Sequence, residues 1–92
     1  MGDSVPEKVT NVLNMTSIAD SFGGAKAEIA NRIDELNDPM FKVDREYAEC
    51  SPPDITYFLT IDLGENHRFL RQIVEKYDAS QKKFIARIDY VR

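Results

Sequence analysis

The stretch ITYFLTIDL, residues 55–63, decides how the second half of the chain folds. Every odd-numbered residue from Ile55 to Leu63 is apolar, and three of the four even-numbered residues are Thr or Asp. Because side chains on a strand point alternately to its two faces, this pattern predicts a strand with one buried face. The same alternation returns in residues 84–90, which predicts another strand of the same kind.

Between these two strands, after Gly64, the spacing of the apolar residues changes. Five apolar residues follow the 3.6-residue repeat of a helix: Phe69, Leu70, Ile73, Val74 and Tyr77. This spacing predicts an amphipathic helix that ends in the mostly polar residues 78–83. A strand–helix–strand connection of this kind is expected to cross over with a right-handed sense.

A second helical stripe occupies residues 16–36. Its apolar members follow one another at steps of three or four: Ile18, Phe22, Ala25, Ile29, Ile33 and Leu36. The spacing predicts a helix that is capped by Thr16 or Ser17 and ends before Pro39. The pair Gly23-Gly24 marks either a bend, a close packing contact or the true beginning of this helix, since Gly is unfavourable in a helix interior.

In residues 41–47 the odd positions include Phe, Val and Tyr while the even positions are charged, which predicts a half-exposed strand. The prolines in Ser51-Pro52-Pro53 forbid a tight two-residue turn, so a longer connection leads into an antiparallel strand at Ile55. The resulting order is helix, strand, strand, helix, strand. We therefore expect an α+β fold, a two-layer sandwich with a mainly antiparallel three-stranded sheet.

The N-terminal segment has two interpretations. Ser4-Val-Pro6-Glu7 has the form of a capping box, so residues 1–15 are expected to be an arm or short helix ahead of a single α+β domain at residues 16–92. Alternatively, residues 8–15 form a strand. The order would then be βαββαβ, which is that of ferredoxin-like domains.

The composition is that of one small domain. The chain has 92 residues, of which 42% are hydrophobic, and Cys50 is its only cysteine. A lone thiol cannot form an intramolecular disulfide or a thiolate-rich zinc site, and it suits a reducing compartment. No apolar run reaches the length of a signal peptide or a membrane span. We expect a soluble, cytoplasmic protein without a membrane partner.

The net charge of −4 is concentrated in the first half of the chain, where residues 1–50 carry ten Asp or Glu against five Lys or Arg. Nucleic-acid binders depend on basic groups that neutralise phosphates, so this charge argues against a nucleic-acid partner. A protein with a basic surface is the more natural counterpart.

The sequence contains no recognisable catalytic constellation. His67 is the single histidine, and no nucleophile or orienting carboxylate stands at a specific spacing from it. One His and one Cys cannot complete a metal site by themselves. We therefore expect a protein that is not an enzyme and has neither a cofactor nor a metal.

Two groups of residues are candidates for binding a partner. Phe58, Ile85 and Val91 place apolar side chains on the strand face that is otherwise polar, where they would be exposed or covered by a partner. Asp34, Glu35 and Asp38 form an acidic group near the end of the predicted first helix. This acidic surface would engage a basic protein or mimic a nucleic acid.

These observations favour a small non-enzymatic protein–protein interaction module of the adaptor, inhibitor or nucleic-acid-mimic type. Its partner would be a protein with a basic surface or a second copy of the chain, bound through the acidic surface and the open face of the sheet. The alternative is a small regulatory or ligand-binding domain of ferredoxin-like type, which requires a strand at residues 8–15.

Overall fold

The computed structural model describes residues 6–51 and 54–91, and the side chains of all of these except residues 46–51, 54 and 55. Two helices and five strands follow one another in the order α1 (Glu7–Leu13), β1 (Thr16–Ala19), α2 (Gly24–Glu35), β2 (Phe41–Ser51), β3 (Asp54–Asp62), β4 (Arg68–Asp78) and β5 (Lys83–Tyr90). The chain is thus a small α+β fold, as its sequence predicts.

The five strands form one sheet in the order β1-β5-β4-β3-β2, and every neighbouring pair is antiparallel. Strands β2 to β5 are joined by successive hairpins, so each lies beside the next in sequence. Strand β1 instead pairs with β5, where Thr16 lies opposite Arg87 and Ile18 opposite Ile85. The sheet therefore begins and ends with the two strands that flank α2.

The core lies between the two helices and one face of the sheet. Its buried side chains come from α1, α2 and four strands: Val9, Val12, Ala25, Ile29, Ala30, Ile33, Phe41, Leu59, Ile61, Ile73 and Ala86. Strand residues in this core alternate with residues of the opposite face, as the pleat requires. The two helices therefore both pack on one face of the antiparallel sheet.

The prediction of a helix at residues 69–77 and of a three-stranded sheet is wrong, because these residues belong to β4, the central strand of five. Phe69 and Ile73 face the helices, whereas Leu70 and Val74 face the other side. A strand that carries apolar residues on both faces can reproduce the spacing of a helical stripe. The expected right-handed crossover is consequently absent, since hairpins join β3, β4 and β5.

The helix predicted for residues 16–36 is also wrong in its first third. Thr16–Ala19 is β1, and α2 begins at Gly24. Gly23 has a φ of +84°, a left-handed conformation that Gly adopts without strain and that cannot continue a helix. The glycine pair therefore marks the true start of the helix. Residues 20–22 lie outside the regular elements.

The N-terminal segment is a helix where the structure describes it. Val9 and Val12 of α1 are fully buried in the core. The ferredoxin-like alternative is wrong, because it required a strand at residues 8–15.

Candidate protein-binding face of the sheet

The face of the sheet that points away from both helices is the candidate site, and we call it the outer face. No helix among the described residues covers it, because α1 and α2 both pack on the opposite face. Alternation along the strands assigns five apolar residues to it: Ile18, Phe58, Leu70, Val74 and Ile85. Val91 follows β5 directly, and the alternation of Ile85, extended by one residue past the strand, assigns it to the same face.

Several of these side chains are open to solvent. Ile18 is 54% exposed, Leu70 50% and Val91 40%. Phe58 and Ile85 are half-buried, and Val74 is buried. Apolar side chains on a face without a covering layer contribute little to stability until a partner removes them from water.

The strand register divides the apolar residues between the two ends of the outer face. Ile18 and Ile85 are direct neighbours across β1 and β5. Ile85 lies beside Lys76 of β4, whereas Phe58 lies beside Gln72, which is four residues away from Lys76 along the same strand. With strands about 4.8 Å apart and residues about 3.4 Å apart, Phe58 and Ile85 are separated by about 17 Å. The structure therefore places the two predicted residues on one face but not in contact.

A shallow depression lies at the Ile85 end of the outer face. It has a volume of about 320 Å³, and Val74, Lys76, Ile85 and Arg87 contribute to its wall. Asp78 also lines the depression, so side chains of both charges border its apolar residues. Towards the middle of the face, Arg87 meets Asp89 at 3.4 Å. The outer face therefore combines apolar residues with charges of both signs.

The acidic candidates lie elsewhere, in the helical layer around the C-terminal end of α2. Asp34 accepts a hydrogen bond from the Arg45 guanidinium at 2.7 Å. Asp38 accepts one from Lys8 Nζ at 2.6 Å and another from the backbone N–H of Met40 at 3.0 Å.

These contacts with Lys8 and then Met40 lower the pKa of Asp38 below its ordinary range. Glu35 is exposed. Asp34 thus links α2 to β2, and Asp38 links the loop after α2 to α1. The acidic group does not join the outer face.

His67 and Cys50 are the remaining residues whose side chains are common in catalytic and metal sites. His67 lies in the turn between β3 and β4 and not in a helix, and its side chain is exposed. The side chain of Cys50 lies outside the described part of the chain. Within the described ranges, no three His, Cys, Asp or Glu side chains are grouped as a metal would require.

Sequence reasoning missed Ile18, Leu70 and Val74 as members of the outer face, because it assigned all three to helices. A signal was present for β4, since residues 70, 72, 74 and 76 alternate with the core-facing residues of the same segment. For β1 the signal was weak, because four residues are too short to show a period.

Comparison with known proteins gives no relative for this chain. No protein-family model, no curated protein and no solved structure matches it. In the part of the chain that the structure describes, no helix has the length and apolar character needed to cross a membrane.

Proposed function

We propose that this chain is a non-enzymatic, cytoplasmic protein–protein interaction module that binds its partner through the outer face of the sheet. The observation that carries the proposal is the half-exposed state of Ile18 and Leu70 on a face that neither helix covers. Full burial of a Leu or Ile side chain contributes about 1.5–3 kcal/mol, so completing the burial of a half-exposed one contributes about half of that.

The size of the outer face fits a partner of domain size. Five strands at about 4.8 Å and the eight residues of β5 at about 3.4 Å give a face of about 24 by 27 Å. Its projected area of about 650 Å² approaches the accessible area of about 800 Å² that each protein contributes to a standard interface. A partner would therefore have to use most of the face.

The acidic group is a weaker candidate for the contact. Arg45 and Lys8 already pair with Asp34 and Asp38, so a basic partner would have to compete with cations of the chain itself. Each of these exposed pairs is weak, however, with a typical strength below about 1 kcal/mol. We propose the acidic group as a secondary contact for a basic partner and the outer face as the principal one.

The test compares two leucines of similar exposure. Leu70 on the outer face is 50% exposed, and Leu36 at the end of α2 is 47% exposed. Leu70→Lys is expected to abolish self-association of the pure chain or its co-purification with a partner from the native host. Leu36→Lys is expected to change neither. Sedimentation velocity and quantitative mass spectrometry of co-purified proteins measure the two readouts.

Circular dichroism first confirms that both variants fold, which the exposure of both leucines leads us to expect. Identical association of the wild type and both variants would refute a role of the outer face. Loss of association in Leu36→Lys alone would transfer the contact to the helical layer.

A further inference from the structure

We propose that the partner on the outer face is a second copy of this chain, packed face to face about a two-fold axis that passes over β5 at the position of Ile88. The inference rests on the proposed function, since it names the occupant of the same face. It is drawn from the order of the side chains that β5 presents to that face.

Strand β5 presents three side chains to the outer face at intervals of two residues, and the same interval, continued one residue past the end of the strand, assigns Val91 to that face as well. In chain order they are apolar, cationic, anionic and apolar: Ile85, Arg87, Asp89 and Val91. The inward-facing Ala86 and Ile88 between them pack in or against the core, which confirms the alternation. Ile88 is the centre of this order. The two residues three positions away from it, Ile85 and Val91, are both apolar, and the two residues next to it, Arg87 and Asp89, have opposite charges.

A two-fold axis that lies between two sheets and runs perpendicular to the strands reverses the direction of β5 in the second copy. Residues at equal distances from Ile88 then face each other, as an isologous interface requires. Arg87 of one copy faces Asp89 of the other, and Ile85 faces Val91. The two copies thus bring charge to opposite charge and apolar surface to apolar surface.

The contact between Arg87 of one copy and Asp89 of the other is retained at the angle at which sheets usually pack. Arg87 and Asp89 lie only about 3.4 Å from the axis along the strand, so the usual angle of about 30° between packed sheets displaces them sideways by about 2 Å. Ile85 and Val91 lie about 10 Å from the axis, so the same angle displaces them sideways by about one strand spacing. At that angle Ile85 of one copy lies beside Val91 of the other and not directly over it. The charged contacts therefore set the register, and the apolar ends contribute burial.

The neighbouring strand β4 agrees with the same axis. Val74 pairs with Arg87 and Gln72 with Asp89, so Val74 of one copy lies over Gln72 of the other. One step further out, the alkyl stem of Lys76 lies over Leu70. On β4 and β5 the axis therefore brings no like charges together near its centre.

Within a single chain, Arg87 and Asp89 meet at the long distance of 3.4 Å, with the arginine side chain 62% and the aspartate side chain 29% exposed. A pair of this kind is too open to water to account for much stability in the monomer. In the proposed dimer the two intrachain pairs join into a four-charge arrangement with part of the water removed, where each contact is stronger.

The experiment exchanges the two charges. Arg87→Asp places Asp against Asp89 of the second copy, and Asp89→Arg places Arg against Arg87. Because symmetry repeats each contact, either variant alone is expected to weaken the dimer by about tenfold or more. An equimolar mixture of the two variants brings acidic residues on one chain against basic residues on the other. It is expected to form a heterodimer. Sedimentation velocity on wild type, each variant and the mixture measures this.

Three outcomes overturn the proposal: a monomeric wild type, single variants that dimerise as the wild type does, or a mixture that stays monomeric when both singles are. The double variant Arg87→Asp/Asp89→Arg is a check on folding, since it must regain the homodimer. A monomeric wild type that loses a co-purifying protein on Leu70→Lys would overturn this dimer and leave the proposed function standing.

Discussion

Glu75 is the charged residue on which α2 depends. Its side chain is fully buried on the core face of β4, and its carboxylate accepts hydrogen bonds from the backbone N–H groups of Gly23 at 2.6 Å and Lys26 at 2.9 Å. The residue before α2 is Gly23, which has no side chain to cap the helix. A carboxylate from the sheet therefore supplies the capping acceptor and the negative charge that a helix N-terminus favours.

Replacing Glu75 tests this assignment. Glu75→Gln keeps one acceptor oxygen but turns an amide NH₂ towards a backbone donor, so we expect the free energy of unfolding to fall by about 2 kcal/mol. Glu75→Ala leaves both buried donors unpaired and is expected to cost about 3 kcal/mol or more. Urea denaturation followed by circular dichroism measures both changes.

Glu35, exposed at the other end of α2, is the control for Glu75. Because a carboxylate at a helix C-terminus gains nothing from the dipole, Glu35→Gln is expected to leave stability within about 0.5 kcal/mol of the wild type. Equal effects of Glu75→Gln and Glu35→Gln would show that the carboxylate of Glu75 does not hold the helix.

At the scale of elements, the sequence predicts some strands well and others poorly. Strands β2, β3 and β5 were predicted because each buries one face, so the period of two is visible. Strand β4 was not predicted, because Leu70 and Val74 on its outer face, together with Phe69 and Ile73 on its core face, reproduce the spacing of a helical stripe. Its neighbours on both sides decide its conformation, and single-segment periodicity does not contain that information.

The turn between β3 and β4 lies where the sequence predicts the start of a helix. The backbone of this turn requires a positive φ at residue 64, which glycine adopts without strain. Gly64, Glu65 and Asn66 all have positive φ, at 87°, 53° and 63°. A Cβ added at Gly64 would meet no atom within 4 Å. A substitution there therefore measures backbone strain without a steric clash.

We expect Gly64→Ala to lower the free energy of unfolding by about 1–2 kcal/mol, which is the cost of the left-handed conformation for a residue with a Cβ. Asn66→Gly is the matched change in the opposite sense. Its relief of strain is offset by the greater freedom of Gly in the unfolded chain, so stability should stay within about 0.5 kcal/mol. Thermal unfolding compares the two, and a Gly64→Ala protein as stable as the wild type would exclude the left-handed turn.

At the scale of the whole molecule, the sequence predicts the α+β class and the place of two residues on the outer face. Phe58 and Ile85 were assigned to one face, and the structure agrees, because alternation along a strand is local. Ile18 was not, since its position depends on pairing with Ile85 far along the chain. The acidic residues lie in the helical layer and not on the outer face, and their pairing with Lys8 and Arg45 likewise depends on contacts between distant parts of the chain.

Helix α1 is expected to be part of the cooperative domain, although the sequence suggested that the domain begins near residue 16. Val12 is fully buried in the core, so Val12→Ala should lower the free energy of unfolding by about 2 kcal/mol. Asn11 is its exposed neighbour, and Asn11→Ala should change stability by less than about 0.5 kcal/mol. Equal denaturation midpoints for the two variants would mean that α1 does not share the core's unfolding transition.

The pairing of β1 with β5 sets the order in which the molecule can assemble. The hairpins from β2 to β5 close short loops, whereas Thr16 must find Arg87, with almost the whole chain between them. Closing such a loop costs more entropy, so we expect the four-stranded meander to form first and β1 to be added late. Synthesis proceeds from the N-terminus, and β1 therefore leaves the ribosome first but finds its partner last.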